Sequence, residues 1–278
     1  MNRLSLEKRT QILKCLVEGN SIRATARICN VVKNTVIKLL VEVGEACLEY
    51  QDKHLRNLAC KRIQCDEIWA FCYAKEKNVP TEKKGHFGYG DVYTWTALCA
   101  DSKLMVSWMV GKRDEQTAYW FVSDIAERLA HKVQLTTDGF KVYVNAVEAQ
   151  FGANIDYAML VKIYGESNEQ KMQKRYSPAK YTGSTKKVIN GNPDPEHIST
   201  SYVERQNLTM RMGMRRFTRL TNGFSKKVEN LAHAISLHFM YYNFVRIHQS
   251  LRVTPAMEAG ITDHLWTLED VAKLVEND

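Results

Sequence analysis

The spacing of apolar residues changes near position 62 of this 278-residue chain, from a helical period to strict alternation. The segment RIQCDEIWAF, residues 62–71, alternates and is rich in Ile, Trp and Phe, which predicts a β-strand. The patterns that follow predict strand, strand, helix, strand and helix at residues 93–100, 104–110, 114–130, 132–139 and 141–152. A hairpin followed by alternating helices and strands predicts an α/β fold with a mixed sheet.

The first fifty residues contain three short amphipathic segments instead: SLEKRTQILKCLVEGN, SIRATARICN and VKNTVIKLLVEVGEACLEY. Ser5 and Ser21 stand where helix N-caps are expected, and Gly19-Asn20 ends the first helix. A short second helix joined closely to a third predicts a helix-turn-helix DNA-binding domain over residues 1–50. Its third helix would present four polar side chains to a major groove: Lys33, Asn34, Thr35 and Lys38. A plain three-helix bundle or a dimerisation head is the alternative.

The remaining boundaries follow from composition. A polar connector at 51–62 precedes a large second domain at 63–260, and a short helical tail follows at 261–278. Within the second domain, residues 165–200 are polar, lysine-rich and contain three of the five prolines, which predicts an irregular, flexible basic insertion.

Positive charge is concentrated in one segment of the chain. The net charge is +8. Residues 201–252 contain nine Lys or Arg against two Glu. A basic excess of this kind indicates a polyanionic partner such as nucleic acid.

Cysteine usage and hydropathy bear on the compartment. Seven cysteines lie in the first hundred residues, an odd number without a signal peptide ahead of them, which indicates a reducing cytosol. A zinc site is disfavoured because its candidate ligands lack the usual close spacing: His54, Cys60, Cys65 and Cys72. No apolar run reaches the roughly 20 residues that span a bilayer. We therefore expect a soluble, cytoplasmic and nucleoid-associated protein with no membrane partner.

Three acidic residues occupy unusual positions. Asp66 lies inside the first strand, Asp138 ends a later strand before a glycine, and Glu204 begins the basic segment SYVERQNLTMRMGMRRF. A carboxylate in an apolar strand is costly unless it is paired or bound to a cation. Hard divalent cations prefer such oxygen ligands, and two of them can activate the attacking oxygen and stabilise the leaving one in phosphoryl transfer.

Each of these residues also has a purely structural interpretation. Asp138-Gly139 is a common turn pair, and Glu204 could stabilise a helix N-terminus through the helix dipole. Glu67 competes with Asp66, because a shift of one residue in strand register exchanges their faces.

Four blocks of the sequence, CDEIW, TTDGF, SYVERQN and YNFVRIHQSL..TPAMEAGI, resemble bacterial DDE transposases of the insertion sequence 1 family. The similarity covers both the head and the second domain. It implies a ribonuclease-H-like mixed sheet with flanking helices, preceded by the all-α helix-turn-helix domain. The lysine-rich tract before Glu204 departs from the family pattern.

The resemblance implies roles for individual residues. Asp66, Asp138 and Glu204 would be the catalytic triad and would hold Mg²⁺ or Mn²⁺, as two ions. Basic and polar residues that follow the third carboxylate would contact DNA: Arg205, Asn207, Arg211 and Arg215. Double-stranded DNA, as element ends and target, would be the substrate of a homodimer or a higher synaptic complex.

The sequence therefore predicts a DNA transposase that cleaves and joins strands at element ends. A catalytically inactive, transposase-derived DNA-binding regulator is one alternative, and a ribonuclease-H-like nuclease that does not join strands is another. Tyrosine recombinases, ATP-driven enzymes and His-x-His nickases are disfavoured, because the sequence lacks their motifs.

Overall fold

A computed structural model of the chain describes residues 4–165, 180–218 and 221–276. In the described residues the strands are β1 Arg62–Cys72, β2 Gly90–Cys99, β3 Met105–Gly111, β4 Gln134–Asp138, β5 Asp156–Gly165 and β6 Lys180–Asn190. The helices are α1 Leu6–Val17, α2 Ile22–Ile28, α3 Lys33–His54, α4 Glu115–Arg128, α5 Val142–Phe151, α6 Ser201–Gly213, α7 Val228–Met240, α8 Pro255–Glu258 and α9 Leu268–Lys273.

The six strands form one mixed sheet in the order β3-β2-β1-β4-β5-β6. Strands β1, β2 and β3 are an antiparallel meander, β4 and β5 run parallel to β1, and β6 returns antiparallel to β5. The predicted α/β class with a mixed sheet and flanking helices is confirmed. Because β1 and β4 are parallel, their carboxyl ends lie at the same edge of the sheet.

Helices cover both faces of the sheet, and each face has its own hydrophobic cluster. On one face, α4 and α5 pack with the odd-numbered side of β1, where Ile63 and Cys65 are buried. On the other face, α6 and α7 pack against Ile68 and Ala70 of the same strand, contributing Met210 and Ile235 to the cluster. Strand β1 lies in the interior of the sheet and is covered on both faces, so a charged side chain on it is costly unless it is compensated.

The three helices predicted in the head are present, with Ser5 and Ser21 as their side-chain N-caps. Residues 51–54, which the sequence analysis assigned to the connector, instead continue α3 to His54. Helix α3 packs along α7 closely enough that a Cβ on Gly44 would lie 2.5 Å from the Cβ of His233. Gln51 also donates to the carbonyl of Ser236 across this contact, at 3.2 Å. The proposed division between head and second domain stays a prediction.

The tract predicted as an irregular insertion contains a strand. Lys180–Asn190 forms β6, which pairs along β5, whereas the sequence analysis predicted loop from 165 to 200 and assigned no element to 153–164. Residues 166–179 of the tract lie outside the described residues. The prediction of loop over 180–190 was wrong because β6 is an edge strand with mostly exposed side chains. Lysines and threonines are common on such edges, so the apolar alternation that indicates a strand is missing.

The tail contains the short helix α9, which packs on α1, and Arg9 donates to the carbonyl of Ala272 at 3.2 Å. None of the helices in the described residues has the length and apolar character needed to cross a membrane.

Candidate active site

Three carboxylates converge where β1 and β4 approach the same edge of the sheet. Asp66 and Glu67 are consecutive on β1, and Asp138 is the last residue of β4. One carboxylate oxygen from each lies within 4.8 Å of the others. The register explains this convergence, since Gln64 pairs with Thr136 and the next residues of both strands run side by side toward the edge.

Asp66 faces α6 and is held by contacts from two neighbouring elements and from its own strand. Its Oδ1 accepts from the backbone N–H of Glu67, and its Oδ2 accepts from the side-chain amide of Asn207 on α6, both at 2.9 Å. The hydroxyl of Thr96 on β2 donates to the backbone carbonyl of Asp66 and also to the amide oxygen of Asn207, at 3.0 and 3.3 Å. The orientation of this carboxylate is therefore determined by contacts from β2 and α6.

Glu67 points to the opposite face and is almost completely buried, with 2% of its side chain exposed. Its Oε2 accepts from Nε of Arg113 at 3.1 Å. The buried Oε1 interacts with the buried hydroxyl of Tyr143, but the two groups make no hydrogen bond of ordinary geometry. The guanidinium of Arg113 stacks on Phe140, 3.9 Å from the ring centroid, and approaches Asp138 at 4.0 Å. One partly exposed arginine thus partly balances the charge of two carboxylates.

The electrostatics of this cluster favour an added cation. Burial and, next, the nearby charge of Asp138 raise the pKa of Asp66 to about 6, although hydrogen bonds from the Glu67 N–H and from Asn207 act to lower it. Burial likewise raises the pKa of Glu67 to about 7, with Asp138 and Asp66 adding to the rise and only Tyr143 and Arg113 opposing it. Carboxylates with raised pKa values that share one small space have too little positive charge around them. A divalent cation with oxygen preference would supply it.

Glu204 lies in the first turn of α6 but does not act as its cap. The first-turn N–H groups of Tyr202 and Val203 donate to the side-chain oxygen of Gln64 on β1, at 2.9 and 3.2 Å. The carboxylate of Glu204 instead accepts from Nζ of Lys162 on β5 and from the hydroxyl of Thr200.

A cavity of about 740 Å³ joins these groups. The three predicted catalytic residues all line it, together with Glu67, which the sequence analysis weighed only as a competitor of Asp66. The structure brings both members of that pair to the site, because Asp138, the last residue of β4, lies level with Asp66 in the middle of β1 and is within reach of side chains on both faces. Glu204 lines the same cavity but is not among the three carboxylates that meet within 4.8 Å.

The predicted DNA-binding residues lie in three places. Of those on α6 and the turn after it, Asn207 and Arg211 line the cavity, whereas Arg205 and Arg215 are exposed outside it. Asn207 is buried, and its amide is already bound to Asp66 and Thr96. The four residues from the head are all at the start of α3, outside the cavity lining, and are exposed except for the partly buried Thr35: Lys33, Asn34, Thr35 and Lys38.

Several residues of the site carried no signal in the sequence. Lys162 is in a segment to which no element was assigned, and Arg113 reads as a loop residue before the N-cap of α4. Gln64 is one of several polar residues on a strand. Its role as the acceptor for the first turn of α6 becomes visible only once the packing of α6 on β1 is known.

The sequence matches no protein-family model and no curated protein. Among solved structures, the piggyBac transposase synaptic complex with hairpin DNA aligns with a TM-score of 0.44 and 9% identity, covering 97% of this chain and 69% of that one. The Mos1 strand transfer complex aligns with a TM-score of 0.25 and 10% identity, covering 86% and 76%. At these scores the likeness is too weak to support an argument about function.

Proposed function

We propose that this chain is a metal-dependent DNA strand transferase, a transposase of the insertion sequence 1 family with a ribonuclease-H-like catalytic domain. The observation that carries the proposal is the convergence of Asp66, Glu67 and Asp138 at one edge of the sheet. The cavity that these carboxylates share also contains Glu204 and Arg211. A cavity lined by both acidic and basic groups suits a reaction in which metal ions act on a phosphodiester.

The donor set fits Mg²⁺ or Mn²⁺. All the candidate ligands are carboxylate oxygens, and the buried Oε1 of Glu67 makes no hydrogen bond of ordinary geometry. Asp66 and Asp138 would hold the ions, with Glu204 as a third ligand and Glu67 beside them. Two bound ions would activate the attacking oxygen and stabilise the leaving oxygen of the phosphate.

The protein's own residues orient the reacting groups. Asn207 fixes the rotamer of Asp66 through its 2.9 Å hydrogen bond, so we propose a positioning role for it in place of the DNA contact suggested by its sequence position. Arg211 extends from α6 into the cavity wall, where a guanidinium can bind a phosphate in bidentate fashion. Arg205 and Arg215, exposed outside the cavity, would extend this contact along the DNA backbone.

The proposed reaction has two steps. Water attacks a phosphorus at the element end, the bond to the 3′-oxygen breaks, and that oxygen leaves as a free 3′-hydroxyl. The 3′-oxygen then attacks a phosphorus of target DNA, forming a new phosphodiester while the target's own 3′-oxygen leaves. Neither step needs a covalent bond to the protein. The polar residues at the start of α3 would recognise the element end. The active assembly would be a homodimer or a higher synaptic complex.

The test uses purified protein and duplex oligonucleotides copied from the DNA that flanks the coding segment. Wild-type protein with Mg²⁺ should nick the duplex and join the new end to a second duplex. Asp138→Asn should lower both rates by at least about 10²–10³-fold, the usual loss when one charge-stabilising group is removed. Asp156→Asn is the matched control, because Asp156 begins the neighbouring strand at the opposite end of the sheet and pairs with Lys132 at 2.7 Å.

Each result has a distinct reading. Cleavage without joining would replace the proposal with a nuclease, and binding without cleavage would replace it with a DNA-binding regulator. Equal losses in Asp138→Asn and Asp156→Asn would show that the effect is one of folding.

A further inference from the structure

Lys162 occupies a position for which the proposed reaction has given no role. It is on β5, the strand next to Asp138, and its ammonium donates to Glu204 at the cavity wall. The two side chains are 27% and 36% exposed, so the pair is accessible from the cavity and is not part of the core. The hydroxyl of Thr200 donates to the same oxygen of Glu204.

This ion pair separates Glu204 from the other carboxylates. Asp66, Glu67 and Asp138 have oxygens within 4.8 Å of one another, and Glu204 does not join them, although it lines the same cavity. Its negative charge is already neutralised by an ammonium. A divalent ion that used Glu204 would approach that ammonium and be repelled by it.

The lysine side chain suits an exchange of partners. An ammonium on a flexible four-carbon stem is a point charge that can bind a carboxylate in one state and a phosphate oxygen in another. A DNA backbone placed in this cavity would bring phosphates near Arg211, which lines the same cavity as Lys162. Moving Lys162 to a phosphate would free Glu204 at the moment when substrate is present.

We propose that Lys162 serves as the resident cation of Glu204 and transfers to a DNA phosphate on substrate binding, so that the second metal ion binds tightly only with DNA. The inference rests on the proposed function and adds a substrate-contacting residue to it. By linkage, DNA and the second ion then raise each other's affinity by the same factor. A site without substrate holds one ion, and the pair of ions needed for hydrolysis assembles only on DNA.

The experiment counts bound Mn²⁺ in full-length protein by the loss of the free-ion electron paramagnetic resonance signal, which requires no catalysis. Wild-type protein without DNA should bind one ion tightly and a second weakly. Lys162→Met, which keeps the length and removes the charge, should tighten the second ion about tenfold, within the 5–150-fold range usual for coupling between ligands. Lys162→Arg keeps the charge and should leave the second ion weak.

Lys132→Met is the matched control. It removes a lysine from an ion pair with Asp156, which lies on β5 as Lys162 does, and should leave the affinity for both ions unchanged. Thermal unfolding of each variant establishes that it is folded. Adding a duplex whose bridging 3′-oxygen is replaced by a methylene group, so that it cannot be cleaved, should tighten the second ion in wild type and much less in Lys162→Met.

Two results would overturn the inference. Weaker second-ion binding in Lys162→Met would mean that the lysine orients Glu204 for the metal, and an unchanged affinity would mean that it has no influence. Both leave the proposed function standing if Asp138→Asn removes the first ion. If wild-type protein binds no Mn²⁺, or if Asp138→Asn binds it as wild type does, the proposed function fails and the inference fails with it.

Discussion

Carboxylates lie at both ends of the central strands. At one end each is paired with a cation, and at the other they are crowded together. At the amino end of β1, Asp101 is paired with Arg62. At the amino end of β5, Asp156 accepts from Lys132. At the other end, where β4 stops beside the middle of β1, Asp66, Glu67 and Asp138 crowd together, and the guanidinium of Arg113 lies near Glu67 and Asp138.

The pKa values follow this difference. Burial raises the pKa of Asp156, but hydrogen bonds from Lys132 and from the backbone of Asn192 outweigh it and lower the pKa below its ordinary value. The pKa values of Asp66 and Glu67 are raised to about 6 and about 7. Paired carboxylates stabilise a fold, whereas crowded carboxylates destabilise it unless a cation binds. An added cation would therefore stabilise the fold at the crowded end and have little to offset at the paired end.

The largest expected effect is a pH-dependent stabilisation by metal. The folded state binds more protons than the unfolded chain between about pH 4 and pH 7, because its pKa values are raised above 3.8 and 4.5. Metal-free stability should therefore fall as pH rises through this window. Mg²⁺ at about 100 times its Kd should restore about 2.7 kcal/mol at pH 8. At pH 5 the gain should be small, because protons occupy the ligands.

Thermal unfolding with and without Mg²⁺ at both pH values measures this effect. Asp138→Asn should abolish the Mg²⁺ shift, and Asp156→Asn should keep it. A shift of the same size at pH 5 and pH 8 would contradict the assignment of the crowded end as the ligand site.

An intermediate effect is opposite in sign at the two ends. Glu67→Gln removes a buried charge whose Oε1 makes no hydrogen bond of ordinary geometry, and should raise metal-free stability at pH 8 by about 1–2 kcal/mol. Arg62→Met leaves Asp101 without its cation and should lower stability by about 1 kcal/mol. Urea unfolding at pH 8 compares the two variants. Destabilisation by both would show that Glu67 is a structural ion-pair partner of Arg113, and the contrast between the ends would be lost.

The smallest effect concerns DNA at the two ends. Arg205 is exposed on α6 near the crowded end, and Arg205→Ala should flatten the slope of log affinity against log salt by about 0.9, the value for one phosphate contact. Lys132→Ala, at the paired end, should leave the slope unchanged. Fluorescence anisotropy with a duplex at several salt concentrations measures both. Equal slopes for the two variants would place the DNA elsewhere.

Arg216 shows why exposure has to be known before an arginine is assigned to DNA. It belongs to the same basic segment as Arg205, yet it is largely buried and donates to the hydroxyl of Ser225 at 2.6 Å. Burial lowers its pKa to about 10. Charge in the sequence indicated a binding segment, and only the packing separates a surface arginine from one that holds the turn after α6.

The sequence by itself determined the order of most helices and strands, because apolar periodicity reflects which side of an element is buried. It also indicated Asp66, Asp138 and Glu204, since a carboxylate at a strand end or a helix start stands out against its neighbours. It could not indicate β6, whose exposed lysines and threonines lack alternation.

Tertiary structure alone decided which acidic residues meet and which groups contact them. Glu67 joins Asp66 at the site because Asp138 of the parallel strand β4 reaches both, a contact between residues about seventy positions apart. Gln64 caps α6, which releases Glu204 from that role, and Lys162 then neutralises it from a third strand. Such pairings depend on strand order and on the packing of α6 over β1. The charge and the apolar period of a sequence do not reveal strand order or helix packing. They describe residues that are neighbours in sequence, whereas these contacts join residues that are neighbours only in space.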